Sequence, residues 1–158
     1  MRRKVDLTQL QSNVTALVVE ASHDSEIYPD DTDRIVEFTA GTPANTWCAW
    51  TEVEDDDTPA VTLSSKFAAQ EGHVSGILIE DLSHRDVRYQ LCLGFGDDPG
   101  ANCILDHRFL SGEVKKLAAI QFMRVRAAAI PAGSTIQYRM KSEQAGATCE
   151  ASLRYHYE

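Results

Sequence analysis

The sequence lacks the short motifs through which common enzymes hold nucleotides, metals or a nucleophile. It has no P-loop, no G-x-G-x-x-G loop, no G-x-S-x-G elbow and no H-E-x-x-H helix. Its histidines are spread from His23 to His156, without the clustering that a cupin-like metalloenzyme needs. His107 follows Asp106, but adjacent residues of a strand face opposite ways, so this aspartate is poorly placed to orient the histidine. These absences predict a protein that is not an enzyme and has no cofactor, catalytic site or metal site.

Positive charge is scarce in this chain. There are 15 Lys and Arg against 24 Asp and Glu, which gives a formal net charge of -9 and a pI near 5.0. Phosphate backbones and anionic membranes repel such a chain, and no apolar run is long enough to cross a bilayer. The opening residues, MRRKVDLTQLQS, have no apolar core of a secretory signal. We predict no nucleic-acid partner, no membrane partner and synthesis in the cytoplasm.

The four cysteines form no C-x-x-C pair, which argues against a zinc knuckle. In a chain without an export signal, separated cysteines are usually small buried hydrophobes. Cys149 falls on the apolar face of its predicted strand and fits that interpretation. Cys92 falls on the face opposite to Tyr89 and Leu91, so we expect it to be less buried.

Strict alternation of apolar and polar residues is the strongest pattern in the sequence. Side chains of a strand point to opposite faces with a period of two, so alternation predicts a strand with one buried face. The apolar face of the last such segment, 147–157, consists of Ala147, Cys149, Ala151, Leu153, Tyr155 and Tyr157. Shorter segments of the same kind recur, separated by Gly-, Pro- and Asp-rich turns.

Strands are predicted at 14–21, 35–39, 47–53, 61–64, 74–82, 87–95, 103–109, 122–127, 135–141 and 147–157. In 113–119 a short helix competes with a strand. About eight to ten short strands at this spacing predict an all-β antiparallel β-sandwich of the jelly-roll type, with an immunoglobulin-like sandwich as the alternative.

The short turns between two pairs of strands predict two hairpins. One joins 74–82 to 87–95, and the other joins 135–141 to 147–157. We predict that the polar first twelve residues form an arm or a loose first strand, and that 13–158 form a single sandwich domain, as the length of the chain allows.

Two tryptophans in one predicted strand are candidate ligand or interface residues. Trp47 and Trp50 are three residues apart, so on a strand they face opposite sides, one toward the core and one toward solvent. An exposed tryptophan suits a glycan-binding platform or a subunit contact.

Polar residues on the last strand and on the turns are further candidates. Arg154 and His156 lie on the polar face of 147–157, which is either solvated or interfacial. Acidic runs at 30–33, 54–57 and 97–98 have the oxygen ligands that calcium prefers, but none has the spacing of an EF-hand. We interpret them as solvated turns.

The C-terminal segment IPAGSTIQYRMKSEQAGATCEASLRYHYE, residues 130–158, resembles the closing strands of β-sandwich virion proteins from tailed bacteriophages. In those proteins an IPAG(S/T) turn, a strand, a small-residue turn and a last alternating strand recur. The segment FAAQEGHVSGILIEDLSHRDVRYQLCLGFGDD, residues 67–98, is similar to their jelly-roll core.

This resemblance implies a capsid decoration protein, or another head- or tail-associated protein, located in the virion. It implies a homo-oligomer, with a trimer favoured, that contacts the major capsid protein or another virion protein. The arm with Arg2, Arg3 and Lys4 would then grip the lattice or exchange between subunits. The alternative function is a carbohydrate-binding module or lectin-like domain that uses an exposed tryptophan.

Overall fold

The computed structural model describes residues 25–112 and 121–158. The predicted arm with Arg2, Arg3 and Lys4, the predicted strand 14–21 and the ambiguous segment 113–119 lie outside these ranges. Within them the structure has nine strands and one short helix: β1 Glu26–Tyr28, β2 Val36–Thr39, β3 Thr51–Glu52, α1 Leu63–Lys66, β4 Gly72–Leu82, β5 Arg88–Phe95, β6 Cys103–Leu110, β7 Gln121–Arg124, β8 Ile136–Ser142 and β9 Thr148–Tyr157.

The strands form two antiparallel sheets that pack face to face. Sheet A has the order β1-β9-β4-β7, and β2 also pairs with β9; sheet B has the order β3-β8-β5-β6. The rings of Phe38 in sheet A and Tyr138 in sheet B lie 4.7 Å apart, within a buried core to which both sheets contribute. The all-β antiparallel fold is therefore confirmed, while the jelly-roll type stays a prediction.

Alternation correctly identified the inward faces of β8 and β9. In β9 the inward residues Cys149, Ala151, Leu153 and Tyr155 are buried, and the residues between them are more exposed. β8 alternates in the same way, with Tyr138 and Met140 inward. We call the outer surface of sheet A face A and that of sheet B face B.

Both predicted hairpins are wrong. β4 pairs with β7 and β9 in sheet A, whereas β5 pairs with β6 and β8 in sheet B. β8 and β9 are likewise in different sheets. Each short turn therefore carries the chain across the core from one sheet to the other. Alternation shows which side chains point inward. The pattern is the same whether two strands are hydrogen-bonded neighbours in one sheet or face each other from opposite sheets.

Two predicted strands are mostly replaced by other structure. Of 47–53, only Thr51–Glu52 is a strand. The segment before it is joined to β8 at Cys48, whose N–H donates to the Met140 carbonyl at 3.0 Å. The predicted strand 61–64 is replaced by the start of α1. The Thr62 hydroxyl accepts a hydrogen bond from the Ser65 N–H at 3.2 Å and so caps this helix.

Candidate functional site: two outer sheet faces

Trp47 and Trp50 lie together on face B, which corrects the prediction that they face opposite sides. The guanidinium of Arg139 is 4.6 Å from the Trp47 ring centroid and 4.7 Å from that of Trp50. Lys141 Nζ is 4.7 Å from the Trp47 ring. Both rings are half-buried. They share one side because their segment is not a strand and has no period of two.

Sheet B places the cations that meet these rings. Arg139 and Lys141 alternate with the buried Tyr138 and Met140 along β8, so they point outward. A cation over an aromatic face is attracted by the ring quadrupole, most strongly for tryptophan. Arg139 thus fixes the two rings in one cluster, which we call the tryptophan cluster.

A small hollow of about 130 Å³ lies beside the tryptophan cluster on face B. Its lining residues are Asn45, Arg88, Gln90, Arg108, Lys141, Ser142 and Glu143. The pKa of Glu143 lies below its usual range because the backbone N–H and then the guanidinium of Arg88 donate hydrogen bonds to it. Face B therefore has a local excess of cations in a chain that is strongly negative as a whole, which suits an anionic group.

Arg154 and His156 lie on the other surface, face A. His156 stacks on His73 of the neighbouring strand, with ring centroids 5.2 Å apart. His73 Nε2 is 2.6 Å from a carboxylate oxygen of Glu158, and this hydrogen bond holds the pKa of Glu158 below its usual range. The Arg154 guanidinium donates to the Ser25 hydroxyl at 3.4 Å. The two predicted groups of candidates, tryptophans and strand cations, are thus on opposite sides of the sandwich.

Face A also holds His73 and Phe122, which sequence reasoning did not select. A broad hollow of about 1040 Å³ is lined by His73, Phe122, Arg124, Arg126, Arg154 and His156, among others. Gly76 pairs with Arg154 on one side and Arg124 on the other, and the Phe122 ring lies so close that a Cβ at Gly76 would clash with it. Phe122 lies on the same side of its segment as Arg124 and Arg126, opposite the buried Met123 and Val125, and this alternation was the signal that could have identified it.

The acidic runs shape turns through their carboxylates. Asp55 Oδ1 accepts bonds from the N–H groups of Asp57 and Val61, and Asp98 Oδ1 accepts one from Ala101. Asp57 forms an ion pair with Arg34 at 2.9 Å. In the described part of the chain, no group of three or more His, Cys, Asp or Glu side chains is arranged to hold a metal ion.

The side chains of Asp106 and His107, the pair that most resembles a catalytic carboxylate and histidine, do not contact each other. Asp106 is opposite Cys92 and His107 is opposite Leu91, so the two side chains leave β6 on different sides. Asp106 instead accepts a bond from the Gln90 amide at 2.6 Å. His107 lies near the Phe109 ring, with centroids 6.4 Å apart.

No protein-family model matches the sequence, and neither a curated protein nor a solved structure matches it significantly. Among residues 25–112 and 121–158, no helix has the length and hydropathy to cross a membrane.

Proposed function

We propose that this protein is a non-enzymatic structural protein of a virion, a capsid decoration protein or another virion-surface protein that assembles as a homo-oligomer. The observation that carries the proposal is the exposed apolar surface of face A. Phe122 and Ile27 are each 49% exposed there. Large apolar side chains that the other described residues leave exposed on a β face are typical of subunit contacts.

The arrangement of face A supports an interface more than a solvated surface. Ile27 pairs with Arg154, Arg154 pairs with Gly76, and Gly76 pairs with Arg124, in one row across four strands. Phe122, which pairs with Leu78 in the adjacent row, lays its ring against Gly76. Aromatic and arginine side chains are the types enriched at the centre of protein interfaces. Face A is thus the surface on which we place the contact between subunits.

The resemblance to tailed-phage virion proteins supplies the partners in this proposal. The homo-oligomer, with a trimer favoured, sits on the major capsid protein or another virion protein. The same resemblance assigns the contact with that partner to the arm with Arg2, Arg3 and Lys4.

Replacing Phe122 with aspartate tests the proposal. We expect the wild-type protein to have the mass of a trimer or larger closed oligomer in light scattering on a sizing column. The F122D variant should associate at least about 30-fold more weakly, because a buried interface aromatic contributes about 2 kcal/mol or more. Leu110→Asp is the matched control, because Leu110 is similarly exposed, at 43%, but lies on β6 of sheet B. A monomeric wild type, or an F122D variant with unchanged mass, would contradict the proposal.

The tryptophan cluster favours one second function, that of a carbohydrate-binding module. Tryptophan rings provide flat apolar surface for sugar rings, and the nearby Lys141 and Arg108 favour a carboxylated sugar. We expect acidic oligosaccharides to quench tryptophan emission in the wild type and to do so at least about tenfold more weakly in K141A, which removes a charged hydrogen bond. Neutral oligosaccharides serve as the control ligands. An unchanged emission with both classes, with and without calcium, would exclude this function.

A further inference from the structure

We propose that Cys92 and Cys103 form an oxidisable thiol pair, which closes to an intramolecular disulfide when the protein meets a small disulfide such as oxidised glutathione. The two sulfur atoms are 3.7 Å apart in the reduced protein. Both residues are free cysteines on adjacent strands of sheet B. The inference is independent of the proposed function.

The geometry needs only a small movement. A disulfide bond is about 2.05 Å long, so the sulfur atoms must approach by roughly 1.7 Å from their 3.7 Å separation. Cys103 is the first residue of β6, next to the turn that follows β5. The ladder between β5 and β6 is irregular here, with a register shift between Leu93 and Gly94. A strand end beside a turn adjusts more easily than the middle of a ladder.

The two thiols differ in access, and this sets the order of reaction. Cys103 is exposed, whereas Cys92 is only 2% exposed. Burial, followed by the hydrogen bond with Cys103, raises the pKa of Cys92 to about 12. The thiolate is the attacking species in thiol–disulfide exchange, and an oxidant must reach it. Cys103 is therefore the residue that meets the oxidant first.

The reaction has two balanced steps. In the first, the Cys103 thiolate attacks one sulfur of oxidised glutathione, which forms a mixed disulfide and releases one glutathione thiolate. In the second, Cys92 loses its proton and its sulfur attacks Cys103 Sγ, which releases the other glutathione. The cationic Arg139 side chain beside the Cys92 sulfur lowers the pKa of that thiol and so favours the thiolate in this step. Overall two protein thiols are oxidised and one glutathione disulfide is reduced to two thiols.

The other two cysteines provide internal comparisons. Cys149 is fully buried in sheet A, out of reach of an oxidant. Cys48 is half-buried, and its sulfur accepts a bond from the Met140 N–H at 3.2 Å. Cys92 and Cys103 are the pair whose sulfur atoms are in contact, so oxidation should select this pair among the four cysteines.

The test treats the reduced full-length chain with oxidised glutathione and maps its peptides by mass spectrometry without reduction. We expect a cross-linked peptide that joins Cys92 to Cys103 and has lost two hydrogens. The C92S variant should stop at a glutathionyl group on Cys103, and C103S should form neither product at this site. Cys48→Ser is the matched control and should cross-link like the wild type.

Thermal unfolding provides a second readout. A link that closes a short loop restricts the unfolded chain, so the oxidised protein should melt about 5–10 °C above the reduced protein, and this difference should vanish in C103S. A wild type that retains glutathione on Cys103 without cross-linking would overturn the proposal. So would a link to Cys48 or Cys149, a link between two chains, or an oxidised form that melts no higher than the reduced one.

Discussion

Replacing Leu153 with alanine should lower the free energy of unfolding by about 3–5 kcal/mol. Leu153 is fully buried in β9, the strand that lies between β4 and the β1–β2 edge of sheet A. Its neighbours across the strands are Ile77 and Tyr28, both buried in the core. Removal of the isobutyl group leaves a cavity between rigid strands that cannot collapse to fill it.

Urea unfolding at a fixed protein concentration measures this effect. The control is Leu110→Ala, the same substitution at a residue that is 43% exposed on the edge strand β6. It should change the unfolding free energy by no more than about 0.5 kcal/mol. Equal losses in the two variants would show that β9 is not the centre of the core.

Replacing Gly41 with alanine should cost about 3 kcal/mol of stability and disturb the tryptophan cluster. A Cβ at Gly41 would lie 2.6 Å from the carbonyl carbon of Trp47 and 2.7 Å from the amide nitrogen of Cys48. These are backbone atoms, so no side-chain rotation relieves the overlap. Gly41 is also held in place, because its N–H donates to the Met140 carbonyl at 3.2 Å. The segment that carries Trp47 must therefore move away from Arg139.

Tryptophan emission and urea unfolding together check this prediction. We expect the emission of G41A to shift to longer wavelength as Trp47 leaves its half-buried position. Gly100→Ala is the control, since its Cβ would meet Asp98 Oδ1 at 3.5 Å and a Trp50 ring carbon at 4.0 Å, which are ordinary contacts. An unchanged spectrum and stability in G41A would mean that the Trp47 segment is held less tightly than the structure indicates.

These variants separate the two surfaces of the sandwich. The Phe122 substitution acts on face A alone, and the Gly41 substitution acts on face B through the backbone of the Trp47 segment. If oligomer mass responds only to the first and tryptophan emission only to the second, assembly and ligand binding are properties of different sheets.

Sequence reasoning found half of each candidate surface. It identified Trp47 and Trp50 but not Arg139, although Arg139 already fell on the polar side of an alternating segment. It identified Arg154 and His156 but not Phe122 or His73. The missing partners come from strands far away in the sequence, and single-chain periodicity has no information about which strand lies alongside.

Cys92 shows the same limit within one strand. Alternation placed it correctly on the outer side of β5, and the expectation of lower burial was wrong, since it is 2% exposed. Its environment is set by Cys103 of β6 and Arg139 of β8. The direction in which a side chain points is a local property of the backbone. Its burial depends on which side chains of the neighbouring strands cover it.

The sequence by itself determined that the fold is all-β and antiparallel, where its long strands run and, in the strictly alternating strands β8 and β9, which side chains point inward. These follow from the period of two, because the direction of a side chain depends only on the local backbone. Only the tertiary structure decided that β4 and β5, and likewise β8 and β9, belong to opposite sheets, and that the two tryptophans meet one arginine. Packing between segments that are distant in the sequence decides which strands pair. A short turn can connect two strands of one sheet or two strands of opposite sheets equally well.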